Sequence, residues 1–153
     1  MKVILLFLIF EYIYSYIPSE AIKYAKKWCK NYNPAYNTYG LDEKEDVNFV
    51  SQCLFEGGES LSGCKNRDDK GMVYNYNDFL SCLESKGWHQ IRTRDDRIKK
   101  GSPILLYGNR HPMFAIDFDG DKTVYCGHKS DECEARLDNS KLIFLYKEQN
   151  GKN

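Results

Sequence analysis

Six cysteines constrain this chain more than any other feature, because all of them, Cys29, Cys53, Cys64, Cys82, Cys126 and Cys133, follow a short apolar start. That start reads Met1-Lys2, then Val3 to Phe10 without a polar residue, then Glu11. A membrane-spanning helix needs about 20 apolar residues, and here a charge interrupts the run after about half that length. The pattern is that of a removable secretory leader over residues 1–15, cut after Ser15 or alternatively after Ser19, with one domain over residues 16–153. The expected location is therefore extracellular or the lumen of the secretory pathway. In such an oxidising compartment an even number of cysteines reads as three disulfides. Cys126 with Cys133 is the pair expected, since a bridge there would pin a short polar loop. Consecutive cysteines are 24, 11, 18, 44 and 7 residues apart. No C-x-x-C pair occurs, which argues against a zinc ribbon or knuckle.

The remaining stretch of about 135 residues suffices for one domain with one core. Its 22 basic and 22 acidic residues are spread along the chain and form no basic stripe, so nucleic acid is not an expected partner. No later segment is apolar enough for a stable membrane span.

Periodicity predicts helices first and strands afterwards. Ala21, Ile22, Ala25, Trp28 and Cys29 recur at helical intervals over Ser19 to Lys30, with Ser19 as the expected N-cap. Asn31 to Gly40, rich in Asn, Pro, Gly and Tyr, reads as an ordered loop. A second helix, the buried central one, is predicted over Val47 to Glu56, capped by Asp46 or a neighbour and stopped by Gly57-Gly58. A third opens at Asn75 or Asn77 and ends at Gly87. Pro103 to Tyr107, Met113 to Phe118, Lys122 to Cys126 and Lys141 to Tyr146 are short apolar or alternating runs that read as strands, the middle two joined by the turn Asp119-Gly120-Asp121. The expected class is α+β, with N-terminal helices packed on a small antiparallel sheet.

The stretch Glu45-Asp46-Val47-Asn48-Phe49-Val50-Ser51-Gln52-Cys53-Leu54, followed by Gly57-Gly58, resembles the motif of the putative amidase domain family, a relative of NlpC-type and CHAP cysteine hydrolases. Tyr24, Ala25, Asn33-Pro34-x-Tyr36, Gly87-Trp88 and Lys100-Gly101 fit the same resemblance. It implies a papain-like fold and a cysteine hydrolase acting on amide or peptide bonds. In that design the thiol sits at the start of the buried helix, where the dipole and a histidine keep it ionised. The family run Asp-Cys-x-Asn-Phe-Val-Ser-Gln places Asp46 in the cysteine slot if aligned without a gap; with a one-residue gap, the cysteine between Asp46 and Val47 is missing. Neither alignment leaves a thiol there.

The resemblance makes His111, at the head of a strand, the former base; His128, in Tyr125-Cys126-Gly127-His128, reads either as the polar group that orients such an imidazole or as a loop histidine. Asp46, His111 and His128 are thus the expected remnants of a site without its nucleophile. Cys53 lies seven residues beyond Asp46, about 10 Å further along a helix, and reads as structural rather than as a substitute nucleophile; Ser51 and His89 read likewise as structural and exposed residues. No cofactor is expected. The favoured function is a secreted, catalytically inactive amidase-like domain with a cleft for peptide or glycopeptide, its 12 tyrosines supplying stacking surfaces. The alternative is an active amidase or peptidase with an unorthodox site, built either from Asp46, His111 and His128, which could activate water or hold a metal, or from Cys53.

Overall fold

A computed structural model describes residues 15–129 and 132–148. The expected leader therefore lies, Ser15 apart, outside the described residues. Among those described, no helix is long and apolar enough to cross a membrane.

Three helices precede the sheet. Helix α1 spans Pro18–Trp28 and buries Ala21, Tyr24 and Ala25 on one face. Proline at its first position, with φ already helical, sets the start; Ser19 is therefore inside the helix and not its cap, and the flanking residue is Ile17. Helix α2 spans Glu43–Glu56, flanked by Asp42, and begins a turn earlier than expected, so Asp46 lies within the helix and does not cap it. The reason is electrostatic: Glu43, Glu45 and Asp46 crowd carboxylates into the first turn, where the helix dipole favours them. Every residue from Glu45 to Leu54 is buried. Helix α3, Tyr76–Ser85, starts as anticipated at Asn75, whose side chain accepts from the backbone N–H groups of Asn77 and Asp78.

The six strands are β1 (Trp88–Ile91), β2 (Ser102–Leu106), β3 (Pro112–Asp119), β4 (Lys122–Gly127), β5 (Glu132–Asp138) and β6 (Leu142–Lys147). They pair antiparallel in the order β1-β6-β2-β3-β4-β5. The chain is thus α+β, as the residue pattern predicts, with β1 and β5 added at the two margins. Strand alternation splits the apolar residues between the two faces. Leu105, Phe114, Ile116, Cys126 and Leu145 pack against the helices; Ile104, Met113, Tyr125, Leu142 and Phe144 form a second cluster with Ile98.

The disulfides differ from expectation. Cys29 at the end of α1 is bonded to Cys133 on β5, and Cys64 to Cys82 on α3. Cys126 does not pair with Cys133: it faces the helical core and is fully buried, whereas Cys133, on the marginal strand, meets the end of α1. Two bridges form where three were expected, and Cys53 and Cys126 remain as buried thiols.

Candidate functional site

The first turn of α2 and the heads of β3 and β5 meet at one end of the helix–sheet interface. His111 directly precedes β3, fixed by its carbonyl accepting from Leu106 N–H at 3.2 Å. Its Nδ1 stands 2.5 Å from Asp46 Oδ2, and both side chains are buried. On the other side of the ring, Nε2 lies 3.5 Å from Oε2 of Glu132, the first residue of β5. Glu132 reaches the ring over Gly127, its partner on β4; a Cβ there would lie 3.2 Å from the same carboxylate oxygen. Tyr125 also faces Glu132, and burial together with that carboxylate pushes its phenol pKa up.

Glu45, the neighbour of Asp46, points to a second imidazole. Its Oε1 is 2.7 Å from His128 Nδ1, and its Oε2 accepts from Tyr39 N–H at 2.8 Å and Asn48 Nδ2–H at 3.3 Å. His128 Nε2 meets the Trp28 carbonyl at 2.7 Å, which requires a donor on that nitrogen. The ring stacks on Phe49 with centroids 4.0 Å apart and meets the edge of Tyr32. His128 is therefore engaged with Glu45 and Trp28 through its two nitrogens, while the His111 ring lies between Asp46 and Glu132. Asp46 Oδ1, Asn48 Oδ1 and Glu132 Oε2 are buried without hydrogen-bond partners among the described residues.

The remaining candidates have other surroundings. Ser51 Oγ–H donates to the Val73 carbonyl at 2.8 Å. Cys53 is wholly buried, and burial, followed by the neighbouring Cys126, raises its thiol pKa well above the ordinary value, so it holds little thiolate. His89 is an exposed residue of β1 whose ring leans on Tyr146. Among the described residues no group of three or more His, Cys, Asp or Glu side chains is arranged to hold a metal ion.

Around the start of α2, Arg110 pairs with Glu43 at 3.4 Å and covers the Tyr76 ring, while Tyr39 stacks on Tyr74 at 5.0 Å. Two concavities lie elsewhere: one of about 330 Å³ beside α1, with Tyr24, Trp28 and Asn33 in its wall, and one of about 210 Å³ between α3 and β1. Neither is lined by Asp46 or His111.

The family model of the putative amidase domain matches residues 15–101, more than half of the chain. The chain belongs to the putative amidase domain family. The matched span of this amidase-family chain contains Asp46 and stops before His111. Comparison with curated proteins and with solved structures returned no match.

Glu132 and the role of Glu45 escape sequence reasoning. Glu45 is part of the quoted motif, but a carboxylate at a helix start reads as dipole complement. Glu132 sits between an acidic residue and a cysteine, with no periodic signal to place it on a strand.

Proposed function

We propose that this putative amidase family member is a secreted, catalytically silent relative of the papain-like NlpC and CHAP hydrolases, with its groove kept for binding. One observation carries the reading: a carboxylate, Asp46 Oδ2, stands 2.5 Å from His111 Nδ1 at the tip of the buried helix, where a hydrolase of this kind would hold sulfur. The contact favours the gap-free alignment, with Asp46 in the thiol's own slot.

The chemical consequence follows from leaving-group ability. A thiolate attacking an amide gives an adduct that expels the amine once a histidine protonates it. A carboxylate attacking the same carbonyl is itself the better leaving group, so the adduct reverts. Asp46 also occupies Nδ1 of the imidazole, which is then not available as base toward a nucleophile in that slot. What remains is a buried carboxylate–imidazole pair joining α2 to β3.

The binding part of the proposal rests on the aromatic margin beside this pair. Tyr39, Tyr74 and Tyr76 are half-buried, with Arg110 among them, a combination suited to stacking on a sugar or peptide group and to pairing with its carboxylate. Secretion is supported by the leader-like start and by the two disulfides.

The test is restoration of sulfur. Native wild-type protein is expected to leave simple peptide amides and muropeptide fragments intact and to resist iodoacetamide, because its two thiols are buried. Asp46→Cys is expected to be alkylated faster than Cys53 and Cys126, because His111 beside residue 46 favours the thiolate there although the position is also buried. Wild-type turnover that disappears in His111→Ala would end the proposal. Peptide or muropeptide titration followed by NMR is expected to move the rings of Tyr39, Tyr74 and Tyr76; unchanged signals at millimolar ligand would remove the binding part.

A further inference from the structure

Four residues quoted for the family resemblance, Tyr24, Asn33, Tyr36 and Gln52, take no part in the Asp46–His111 contact and gather instead at the concavity of about 330 Å³ beside α1. Tyr24 O–H donates to Gln52 Oε1 on α2 at 2.6 Å, and the same phenol oxygen accepts from Asn33 Nδ2–H at 3.1 Å. Asn33 Oδ1 accepts from Ala35 N–H at 3.0 Å, so the Asn33 amide has one N–H left over. Tyr36 meets the Tyr24 ring edge-on at 6.3 Å, and its O–H donates to Glu56 Oε1 at the end of α2, which leaves Glu56 Oε2 as an acceptor on the rim. Burial raises the Tyr24 phenol pKa well above its ordinary value, so this floor stays neutral and keeps its hydrogen-bond directions near pH 7.

Trp28 supplies a flat wall. Its ring is half-buried, and its backbone is clamped: the Trp28 carbonyl accepts from His128 Nε2–H at 2.7 Å and from Asn31 N–H at 3.2 Å, and the next residue, Cys29, is bonded to Cys133. An aromatic plane on so constrained a backbone loses little freedom when a ligand covers it. Lys27 Nζ stands 4.9 Å from the centre of that ring. On the rim, Lys23 and Lys27 are balanced by Glu20 and Glu56, so the lining favours neither an anion nor a cation. The volume lies near the lower end of the range of about 300–1,000 Å³ for small-ligand sites, which suits one ring rather than a chain. A flat aromatic wall, a neutral rim and a leftover donor and acceptor within one small space match a ring that has an apolar C–H face and hydroxyls at its edge. We propose that this concavity binds a single neutral pyranose, stacked on Trp28, with its hydroxyls accepting from Asn33 Nδ2–H and Lys27 Nζ–H and donating to Glu56 Oε2. The site is separate from the margin of Tyr39, Tyr74 and Tyr76 and stands whether or not that margin binds.

The test is a titration of the full chain followed by NMR, with glucose, N-acetylglucosamine and their methyl glycosides as probes. Trp28 and Trp88 are the two tryptophans, and Trp88 is buried, so the Trp28 indole N–H is the reporter, together with the Asn33 side-chain amide. At least one of these sugars is expected to shift both signals saturably, half-complete at about 1–10 mM. Binding of the free sugar alone would mark a monosaccharide as the source, and binding of the methyl glycoside as well would mark the end of a glycan; either supports the proposal. Trp28→Ala keeps the backbone carbonyl that holds His128 and is expected to weaken binding more than tenfold, read at Asn33. Glu56→Gln keeps an acceptor for Tyr36 and is expected to weaken it about threefold. No shift at about 50 mM of any of the probes would overturn the proposal, as would equal shifts with sorbitol, an open-chain polyol, or unchanged affinity in both variants. Sugar-induced shifts confined to Tyr39, Tyr74 and Tyr76 would overturn this site while leaving the groove beside Asp46 as a binding site.

Discussion

The two halves of α2 lie in one buried helix and have opposite chemistry. Its first turn holds Glu45 and Asp46 against His128 and His111, with buried carboxylate and amide oxygens that have no hydrogen-bond partner among the described residues. Its second half holds Val50, Cys53 and Leu54, fully buried among apolar neighbours. A fold built for stability alone would have made both ends dry, because a buried ion pair seldom outweighs its own desolvation. The polar end ties the helix to the residues flanking β3 and β4 through two carboxylate–imidazole contacts, and the dry end holds the domain together by apolar packing.

That contrast can be broken experimentally, and the largest effect concerns the constraint that closes the polar end. Cys29 follows Trp28, whose carbonyl holds His128, and Cys133 follows Glu132, so their bridge clamps both imidazole networks. It spans 104 residues, and converting both cysteines to alanine is expected to cost about 4–5 kcal/mol in urea unfolding. The bridge from Cys64 to Cys82, across 18 residues, is worth about 3 kcal/mol by the same reasoning. Equal losses would mean that chain constraint does not distinguish the two.

At the dry end, Leu54→Ala is expected to destabilise by about 3 kcal/mol through lost burial and a residual cavity. At the polar end, Asp46→Ala leaves the His111 N–H buried without its acceptor and is expected to cost about 2 kcal/mol. The double change Asp46→Leu with His111→Leu should recover that loss, since two apolar side chains need no partners. If the double variant is worse than the single one, the pair is a stabilising element and the contrast between the halves fails.

The smallest effect is alkaline. Tyr39, whose N–H supports Glu45, has its phenol pushed up to about 12 by burial and then by the Asp68 carboxylate. A phenol whose pKa is raised in the folded state favours folding below its ordinary pKa of about 10 and loses that contribution as pH rises through about 12. Tyr16 at the other end of the helix is shifted in the same direction. Urea midpoints should therefore be insensitive to these two groups from pH 7 to 9 and decline above 10, less steeply in Tyr39→Phe. An unchanged slope in that variant would remove Tyr39 from the account.

How much of this is legible in the residues depends on the kind of signal. The three helices, four strands and the Gly120 turn follow from periodicity and from Gly and Asn placement, which act locally. Strand β5 is missed because Glu132-Cys133-Glu134-Ala135-Arg136-Leu137-Asp138 has no apolar run; it forms by pairing with β4, a long-range effect. Strand β1 is too short to show alternation. In the site, Asp46 and His111 are visible through the family motif, whereas Glu132 depends on Gly127 having no Cβ, a property of two strands in register. Cysteine pairing failed for the same reason, since nearness in sequence does not predict which side of a sheet a thiol faces.

The margins of the sheet carry a further consequence. Strand β5 carries Glu134, Arg136 and Asp138 along an open edge, and β1, at the other, is four residues long with His89 and Gln90 exposed. A second molecule trying to extend the sheet would meet charged side chains of both signs on one side and find almost no ladder to join on the other. Copies crowded together should thus resist polymerising through their strands, a safeguard carried by residues that do nothing for the core.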